Sequence, residues 1–519
     1  MQLADFTNEP LSNFKGNLEL FRLMQEAVAQ VGTELGREYD LVIGGERLQT
    51  RDKFLSINPS QKDQVVGVFS KGNAELANRA IQTAEQVFKS WSRTPVEQRV
   101  PLLLKTAEIL RRRKYYYAAW MVYEVGKTWP EADADIAEAI DFAEFYAREM
   151  LRLAGPQPLT PIPGERNYLE YLPLGVGVVI PPWNFPLAIL AGMTLASIVA
   201  GNTVVLKPSS DSPAIAYKLF EVLEEAGMPP GVVNFLPGPG SEVGDVLVGH
   251  PRTRYIAFTG SKEVGLRINE LAAKTVPGQI WVKRVIAEMG GKNAIIVDSE
   301  TDLDRAVEGV LVSAFGYQGQ KCSACSRAIV LEPIYEAFLE KLKQRVEQIK
   351  VGPATEPESY MGPVINARSH QSILEYIKIG RQEGRLVAGG DAVPGPGFYI
   401  QPTVIADLPP QARIAQEEIF GPVLAVIKAR SFEEALEIGN HTEYGLTGSV
   451  YTQNRQKIGR AAEDFFVGNL YFNRKCTGAL VGGHPFGGFN MSGTDSKAGG
   501  RDYLLLFTQA KAVSERIDF

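Results

Sequence analysis

The feature that most restricts the fold of this chain is a regular alternation of apolar, strand-like runs with helical stretches. Four runs rich in β-branched residues are predicted as strands, at residues 177–180, 203–206, 232–236 and 255–258. A helix is predicted between the second and third runs, from Pro213 near its start to Gly227 at its end. Strands and helices that alternate at roughly 25-residue spacing are typical of a parallel sheet built from βαβ units.

A second alternation begins after Glu288, at the glycine-rich junction EMGGKN, and predicts a second α/β domain. Its strands are predicted at residues 294–297, 328–331, 404–406, 423–427 and 449–451. One helix is expected at 18–32, and an all-helical region is expected before the first sheet, with helices at 75–91, 96–114 and 115–146.

Two segments are predicted to lie outside these domains. Residues 155–176 are rich in Pro and Gly and are expected to form an extended hairpin that leaves the body of the protein, and residues 503–508 are expected to form a strand that pairs outside the core. The most apolar run, residues 187–200, is shorter than a membrane span and is predicted as a buried helix.

Composition restricts the partners and the compartment. The chain has 519 residues, with 54 Lys+Arg against 60 Asp+Glu, and the net charge of −6 gives no basic surface for nucleic acid or an anionic membrane. Three cysteines do not make a disulfide framework. The N-terminal MQLADFTNEP shows neither a signal nor a transit peptide. We therefore expect a cytoplasmic protein with a small-molecule substrate and neither nucleic acid nor membrane as partner.

The segment SAFGYQGQKCSACSR, residues 313–327, carries the predicted nucleophile, Cys322. A free cysteine is more often a small buried hydrophobic residue, but the glycines at 316 and 319 let the backbone turn close to a ligand. The C-x-x-C formed with Cys325 also allows a redox or metal pair. Only Cys476 and four histidines remain, none near this pair in sequence, so we predict no metal site.

Further candidates follow the predicted strands, where parallel sheets bind ligands. Asn184 is able to donate its amide to an oxyanion, although it also suits a turn. Lys207 would suit a ribose, although a lysine here is more often a surface residue. The turn FTGSKEVG, residues 258–265, resembles a pyrophosphate-binding helix start and equally an ordinary β-to-α turn. Glu288 is a candidate base and Glu418 a candidate ribose ligand. For both residues the commoner alternative is a solvated glutamate in a loop.

Taken together, these segments carry a resemblance that covers nearly the whole chain. PWNFP, FTGSxxxG, ExGGK, GQxC and EEIFGPV, in this order, resemble the pattern of the NAD(P)-dependent aldehyde dehydrogenase superfamily. GQKCSACSR and the C-terminal FNRKCTGALVGGHPFGGFNMSGTDSKAGG most resemble its 1-pyrroline-5-carboxylate dehydrogenases, which oxidise glutamate semialdehyde to glutamate. Another semialdehyde, such as succinic semialdehyde, is the alternative substrate.

The resemblance implies an α/β fold with three parts. A Rossmann-like NAD(P)-binding domain is expected at 1–154 and 174–288, and a catalytic α/β domain at 289–490. A small β oligomerisation flap is expected at 155–173 and 491–519. The flap implies a homo-oligomer, either a dimer or an assembly of dimers.

The resemblance also implies a role for each candidate residue. Cys322 would attack the aldehyde, Asn184 and the Cys322 N–H would stabilise the oxyanion, and Glu288 would activate the water that hydrolyses the thioester. The implied NAD ligands include Ser261 on the pyrophosphate, Lys207 on the adenosine ribose and Glu418 on the nicotinamide ribose. The remaining implied cofactor contacts are Ser210, Gly240, Thr259, Gly260, Gly265 and Phe420. Many NAD-preferring relatives carry a ribose-binding glutamate where this chain has Ser210, so NADP should also be tolerated.

Substrate contacts are implied in the same way. Ser323, Gly478 and Ala479 would hold the α-carboxylate of the semialdehyde. Phe185 and Phe486 would wall its aliphatic chain, and Glu138, on a helix predicted at 134–145, would meet its α-ammonium.

Two other classes of protein stay open at this point. A thiol–disulfide oxidoreductase would use Cys322 and Cys325 but needs a thioredoxin-like βαβ context, which this segment does not supply. A catalytically silent NAD-binding protein would keep the glycines and tolerate loss of Cys322, Glu288 or Asn184, all of which are present.

Overall fold

The computed structural model describes residues 3–518. Short strands and long helices alternate in its N-terminal third: α1 Leu18–Gly32, β1 Arg37–Tyr39, β2 Leu41–Ile43, β3 Glu46–Leu48, β4 Lys53–Ile57, β5 Val65–Ser70, α2 Ala74–Trp91, α3 Val96–Arg112, α4 Lys114–Val125 and α5 Trp129–Ala154. Asparagine side chains cap the first two helices, since Asn17 and Asn73 each accept backbone N–H bonds from the first turn.

The all-helical region predicted over 75–146 is confirmed, except that its last helix is divided. Five short strands, β1 to β5, lie between α1 and α2 and were not predicted, because their lengths of three to six residues left too little periodic pattern to detect. The helix predicted over 115–146 is instead two helices, because Gly126 adopts a left-handed φ of 66° and ends α4. The second of these, α5, continues to Ala154 and packs against α3.

The middle of the chain follows the predicted alternation: β6 Glu165–Pro173, β7 Val176–Ile180, α6 Ala188–Val199, β8 Thr203–Leu206, α7 Pro213–Ala226, β9 Val233–Phe235, α8 Asp245–Gly249, β10 Thr253–Thr259, α9 Lys262–Ala273 and β11 Arg284–Glu288. Its seven-stranded sheet has the order β11-β10-β7-β8-β9-β2-β3. The five strands from β11 to β9 are parallel, as predicted, while β2 and β3 add an antiparallel edge. The buried helix predicted near 187–200 is α6.

The remaining elements are β12 Asn293–Val297, α10 Leu303–Phe315, β13 Cys325–Leu331, α11 Tyr335–Val346, α12 Ala367–Glu383, β14 Arg385–Ala388, β15 Thr403–Ala406, α13 Arg413–Gln416, β16 Val423–Ala429, α14 Phe432–Asn440, β17 Tyr444–Gly445, β18 Thr447–Tyr451, α15 Arg455–Asp464, β19 Asn469–Phe472, β20 Phe489–Asn490 and β21 Thr508–Arg516. Seven of these strands build a second sheet, while β17 pairs with β20 and β21 pairs with β6. The strand order is β14-β15-β16-β13-β12-β18-β19, and every pairing except that of β14 is parallel. The second predicted alternation is therefore confirmed.

Two predictions about the projecting segments need correction. Residues 155–176 do not form a hairpin, because β6 pairs antiparallel with β21 from the far end of the chain, over nine residues of each strand. Residues Tyr503–Phe507 form a 3₁₀ turn, and the C-terminal strand begins only at Thr508. Tyr503 and Phe507 are buried against the core instead of extending from it.

The two large sheets present opposite ends to one region. Thr259 and Glu288 are partners at the carboxyl ends of β10 and β11, whereas Asn293 and Cys325 are partners at the amino ends of β12 and β13. The segment from Met289 to Lys292 joins the two sheets, so the ends meet at a single junction. None of the helices in residues 3–518 is long and apolar enough to cross a membrane.

Candidate active site

A cavity of about 100 Å³ lies at this junction, lined by α5, α6, the ends of β10 and β11, and the loop before β13. Nine of the predicted residues lie on its wall: Cys322, Glu288, Thr259, Glu138, Phe185, Ser323, Gly478, Ala479 and Phe486. The predicted nucleophile, the predicted base and all predicted substrate contacts thus border one space.

Cys322 lies in the loop between the turn Gly316–Gly319 and β13, and its side chain is partly exposed. The turn is unusual because Tyr317 and Gln318 have positive φ values of 49° and 58°. Burial, together with the charges of Glu418 and Glu288, raises the pKa of the Cys322 thiol to about 12, although the Ser323 N–H lowers it. At neutral pH the sulfur is therefore a thiol, which must lose its proton when it attacks.

Asn184 follows β7 and is buried beside the cysteine loop. Its Nδ2 donates a hydrogen bond of 3.0 Å to the backbone carbonyl of Gln320, two residues before Cys322. A carboxamide carries two N–H donors, so the second hydrogen is available to another acceptor. The Asn184 side chain is therefore fixed against the loop that carries the thiol, so its role is not limited to forming a turn.

Glu288 ends β11 and is 9% exposed, so it is not a solvated loop residue. Its Oε1 accepts bonds from the Ser496 hydroxyl at 2.7 Å and the Ser496 N–H at 3.1 Å, and its Oε2 accepts one from the Gly488 N–H at 3.3 Å. Burial raises the pKa of the carboxyl to about 7 in spite of these three bonds. A carboxylate with this pKa can accept a proton near neutrality.

The turn after β10 forms the start of α9. Ser261 caps this helix by accepting the Val264 N–H, and Gly260 donates its N–H to the Glu288 carbonyl at 3.1 Å. A Cβ at Gly265 would collide with Met289, so this glycine allows close packing of helix and strand. The first-turn N–H groups of α9 make it a suitable anion site.

Lys207 and the segment Gly240–Gly244 lie side by side. The Lys207 side chain is buried, its Nζ donates to the Pro208 carbonyl at 3.2 Å, and burial lowers its pKa to about 8. A Cβ at Gly244 would lie 3.7 Å from Lys207 Cε, whereas one at Gly240 would meet nothing within 4 Å. Ser210, three residues after Lys207, is exposed. These residues border open space at the carboxyl end of β8, which fits a ribose and its phosphates.

Glu418 and Phe420 lie on the other side of the cysteine loop. The Glu418 Oε1 accepts the Gly291 N–H at 2.9 Å, and burial raises the pKa of its carboxyl to about 7. Phe420 has a positive φ of 56°, and its ring meets Trp183 edge-on at 5.4 Å. Like Glu288, Glu418 is therefore a buried carboxyl fixed by a backbone hydrogen bond, and not the solvated glutamate that is commoner in loops.

The loop before Phe486 offers free backbone donors. Arg474 donates to the carbonyls of Thr477 at 3.1 Å and Gly478 at 3.0 Å, which fixes the loop from behind. Gly478 has a φ of 73°, a conformation that suits glycine. Within residues 3–518, the N–H groups of Gly478 and Ala479 have no hydrogen-bond partner. A loop of this kind can bind a carboxylate.

Glu138 lies on α5 and borders the same cavity as this loop. Burial and the charge of Asp135 raise the pKa of its carboxyl to about 8, so the group is mostly neutral at pH 7. A bound ammonium would lower that pKa and ionise the carboxyl. Phe185 is held in place by the ammonium group of Lys127, whose Nζ lies 4.2 Å from its ring centroid.

Three residues that touch the site were missed by the sequence reasoning: Ser496 on Glu288, Arg474 behind the Gly478 loop, and Asn293 on the carbonyl of Cys322. Ser496 and Arg474 stand inside the C-terminal motif quoted above, which was the available signal. Asn293 directly follows EMGGK, but nothing local indicates its contact.

Cys325 does not form a pair with Cys322. All three cysteines are free, and Cys325 is buried at the start of β13, where its thiol contacts Cys476 instead. Cys476 in turn lies 3.3 Å from the Ser323 carbonyl. This arrangement does not support the thiol–disulfide alternative.

Comparison with known proteins agrees with this geometry. The model of the aldehyde dehydrogenase family matches residues 47–513. A 1-pyrroline-5-carboxylate dehydrogenase of Geobacillus kaustophilus is 59% identical over 512 residues, which are 98% of this chain and 99% of that protein.

Solved structures give the same result. A 1-pyrroline-5-carboxylate dehydrogenase from Thermus with bound NAD superposes with a TM-score of 0.98 at 53% identity, covering 99% of this chain and all of that one. The proline utilization A protein of Bdellovibrio bacteriovorus gives 0.97 at 48% identity, covering 99% of this chain and 53% of that one. Motifs, fold and relatives agree over almost the full length, and this chain belongs to the aldehyde dehydrogenase family.

Proposed function

We propose that this protein catalyses the NAD-dependent oxidation of L-glutamate 5-semialdehyde, formed from 1-pyrroline-5-carboxylate, to L-glutamate in proline degradation. The observation that carries the proposal is one cavity bordered by a thiol, a carboxyl with a pKa of about 7 and a loop with free N–H donors. The relatives named 1-pyrroline-5-carboxylate dehydrogenase support the substrate.

The first step is attack by Cys322 on the aldehyde carbon. The thiol proton passes to solvent as the carbon–sulfur bond forms. The aldehyde oxygen then gains a negative charge, which the free N–H of Asn184 and the Cys322 N–H stabilise. Each such donor contributes on the order of 10²–10³ in rate.

The residues described above fit NAD. We assign Ser261 at the start of α9 to the pyrophosphate, Lys207 to the adenosine ribose and Glu418 to the nicotinamide ribose. Ser210, Gly240, Thr259, Gly260, Gly265 and Phe420 would complete the site. The chemistry that bound NAD supplies is acceptance of a hydride from the carbon attached to sulfur.

Hydrolysis of the thioester returns the enzyme to its starting state. The Glu288 carboxylate accepts a proton from water as the water oxygen attacks the thioester carbon. The bond to Cys322 then breaks, the sulfur takes the proton from Glu288, and the acid product leaves as its carboxylate after losing its proton to solvent. Because Ser210 carries no charge to repel a 2′-phosphate, we expect NADP to be accepted as well.

Recognition of the substrate is assigned to residues on the cavity wall. The N–H groups of Gly478 and Ala479 and the hydroxyl of Ser323 hold the α-carboxylate, and Glu138 meets the α-ammonium on the same carbon. Phe185 and Phe486 contact the aliphatic chain between the carboxylate and the aldehyde. Succinic semialdehyde lacks the ammonium, so it leaves the Glu138 carboxyl unpaired.

We also propose the division into parts given by the resemblance: 1–154 with 174–288 for the cofactor, 289–490 for catalysis, and 155–173 with 491–519 for assembly. The paired strands β6 and β21 support a homo-oligomer, a dimer or an assembly of dimers, since a two-stranded ribbon is marginal by itself. The three free thiols support a cytoplasmic location.

The test is NADH formation with a panel of aldehydes at equal concentration. Glutamate semialdehyde should give the highest kcat/KM, ahead of succinic semialdehyde and acetaldehyde. A higher value for succinic semialdehyde would overturn the substrate assignment, and no NADH with any aldehyde would overturn the activity.

A further inference from the structure

Asn293, the first residue of β12, bonds directly to the backbone that carries Cys322. Its Nδ2 donates to the carbonyl of Cys322 at 2.7 Å and to the carbonyl of Ala324 at 2.9 Å. The residue is 3% exposed, so water cannot readily replace either bond.

The orientation of this carboxamide is determined by a third bond. The Asn293 Oδ1 accepts the backbone N–H of Thr447, at the start of β18, at 2.9 Å. A backbone N–H only donates, so it must face the oxygen, and the two amide hydrogens must face the two carbonyls. Asn293 thus ties the cysteine loop to β12 and β18, two neighbouring strands of the second sheet.

The Ser323 carbonyl, which lies between those of Cys322 and Ala324, is also held by side chains. The Ser323 carbonyl accepts a bond from the Cys476 thiol at 3.3 Å and from the Thr447 hydroxyl at 3.4 Å. Three consecutive carbonyls, those of Cys322, Ser323 and Ala324, are therefore fixed by side chains outside the loop. Backbone held at so many points cannot rotate its peptide planes freely.

A peptide group is planar and trans, so its C=O and N–H point in opposite directions. The bond to the Cys322 carbonyl therefore also fixes the Ser323 N–H, which belongs to the same peptide group. The Ser323 N–H lowers the pKa of the Cys322 thiol and so favours its ionised form. The amide of Asn293 and the sulfur of Cys322 are linked through one rigid unit.

We propose that Asn293 is a positioning residue, which holds the Cys322–Ser323 peptide so that its N–H faces the Cys322 sulfur and stabilises the thiolate. This inference rests on the proposed role of Cys322 as nucleophile. Asn293 acts through the backbone and does not touch the substrate.

Asn234 provides a matched control, because it makes the same three kinds of bond far from Cys322. Its Nδ2 donates to the carbonyls of Val204 and Gly231, its Oδ1 accepts the Gly44 N–H, and it is fully buried. Asn293→Leu and Asn234→Leu each remove three buried hydrogen bonds between a carboxamide side chain and the backbone. A general loss of stability should therefore be similar in the two variants.

The experiment measures the rate of alkylation of Cys322 by iodoacetamide between pH 7 and 9.5, by mass spectrometry of the Cys322 peptide, together with kcat, KM and Tm. Asn293→Leu should lower the alkylation rate at each pH about 10-fold or more, the effect of a lost bond to a charged group, and lower kcat more than it raises KM. Asn234→Leu should lower Tm but leave the alkylation rate unchanged.

Equal alkylation rates in Asn293→Leu and the unsubstituted enzyme would overturn the proposal. An equal fall in alkylation rate in Asn293→Leu and Asn234→Leu would also overturn it. Asn293→Asp is the second test, because it keeps the shape and the Thr447 bond but places a carboxylate oxygen against the two carbonyls. This variant should show the same fall in the alkylation rate of Cys322. If neither Asn293 variant folds while Asn234→Leu does, the positioning role is contradicted and Asn293 is a stability residue. Failure of the proposed function is separate, since it would appear as dehydrogenase activity retained in Cys322→Ala.

Discussion

Ser496 donates two hydrogen bonds to one carboxylate oxygen of Glu288, from its hydroxyl at 2.7 Å and from its backbone N–H at 3.1 Å. These bonds favour the charged form of Glu288 and oppose the effect of burial, which raises its pKa to about 7. The serine therefore determines how much of the proposed base is ionised at neutral pH.

Ser496→Ala removes the hydroxyl bond and keeps the backbone bond. The pKa of Glu288 should rise by about one unit, because a hydrogen bond to a charged group contributes ~1.5–3 kcal/mol and one pH unit corresponds to about 1.4 kcal/mol. A base works when deprotonated, so kcat should rise with pH through about 7 in the unsubstituted enzyme. The variant should show this rise at higher pH. Superimposable pH profiles would show that Ser496 does not tune Glu288.

Glu288→Gln keeps the size of the side chain and removes the proton acceptor for thioester hydrolysis. We expect a burst of about one NADH per active site and then slow turnover, since the thioester forms but persists. Rapid-mixing absorbance of NADH checks this, with intact-protein mass spectrometry to detect the acyl group. Steady turnover at the unsubstituted rate would remove Glu288 from this role.

Cys322→Ala should abolish NADH formation and retain cofactor binding, because Ser261 and Lys207 lie outside the cavity wall that carries the thiol. Cys325→Ala is the comparison, and it should keep most activity because Cys325 is buried against Cys476. Isothermal titration with NAD and steady-state assays measure both effects. Equal damage from both substitutions would favour a cysteine pair over a single nucleophile.

Ser323→Ala removes one donor to the α-carboxylate of glutamate semialdehyde. The KM for this substrate should rise roughly 10- to 100-fold, since a hydrogen bond to a charged group contributes about 1.5–3 kcal/mol. An uncharged aldehyde of similar length is the control and should show little change. The same increase for both aldehydes would mean that Ser323 does not anchor the carboxylate.

Much of the architecture follows from local pattern. Apolar β-branched runs predicted the central strands of both sheets, because strands buried on both faces need such residues. Motif resemblance placed Cys322, Glu288 and Ser323 near one another, and the structure brings all three to one cavity. These were the features that a few consecutive residues can specify.

Errors arose where a local pattern was weak or ambiguous. The helix predicted over 115–146 missed the break at Gly126, since a single glycine does not show its φ in the sequence. The hairpin at 155–176 was wrong because the partner of β6 is β21, whose pairing joins Glu165 to Arg516. Strand partners far apart in the chain are chosen by the packing of the whole protein.

The sequence by itself determined most strands and helices of the two α/β regions and the family, and it supplied the candidate reactive residues. Only the tertiary structure decided which groups hold those residues in place: Ser496 reaches Glu288 across 208 positions, and Asn293 reaches the Cys322 carbonyl across 29. The reason is physical. A buried polar group must find a hydrogen-bond partner, and which partner it meets depends on how the sheets pack.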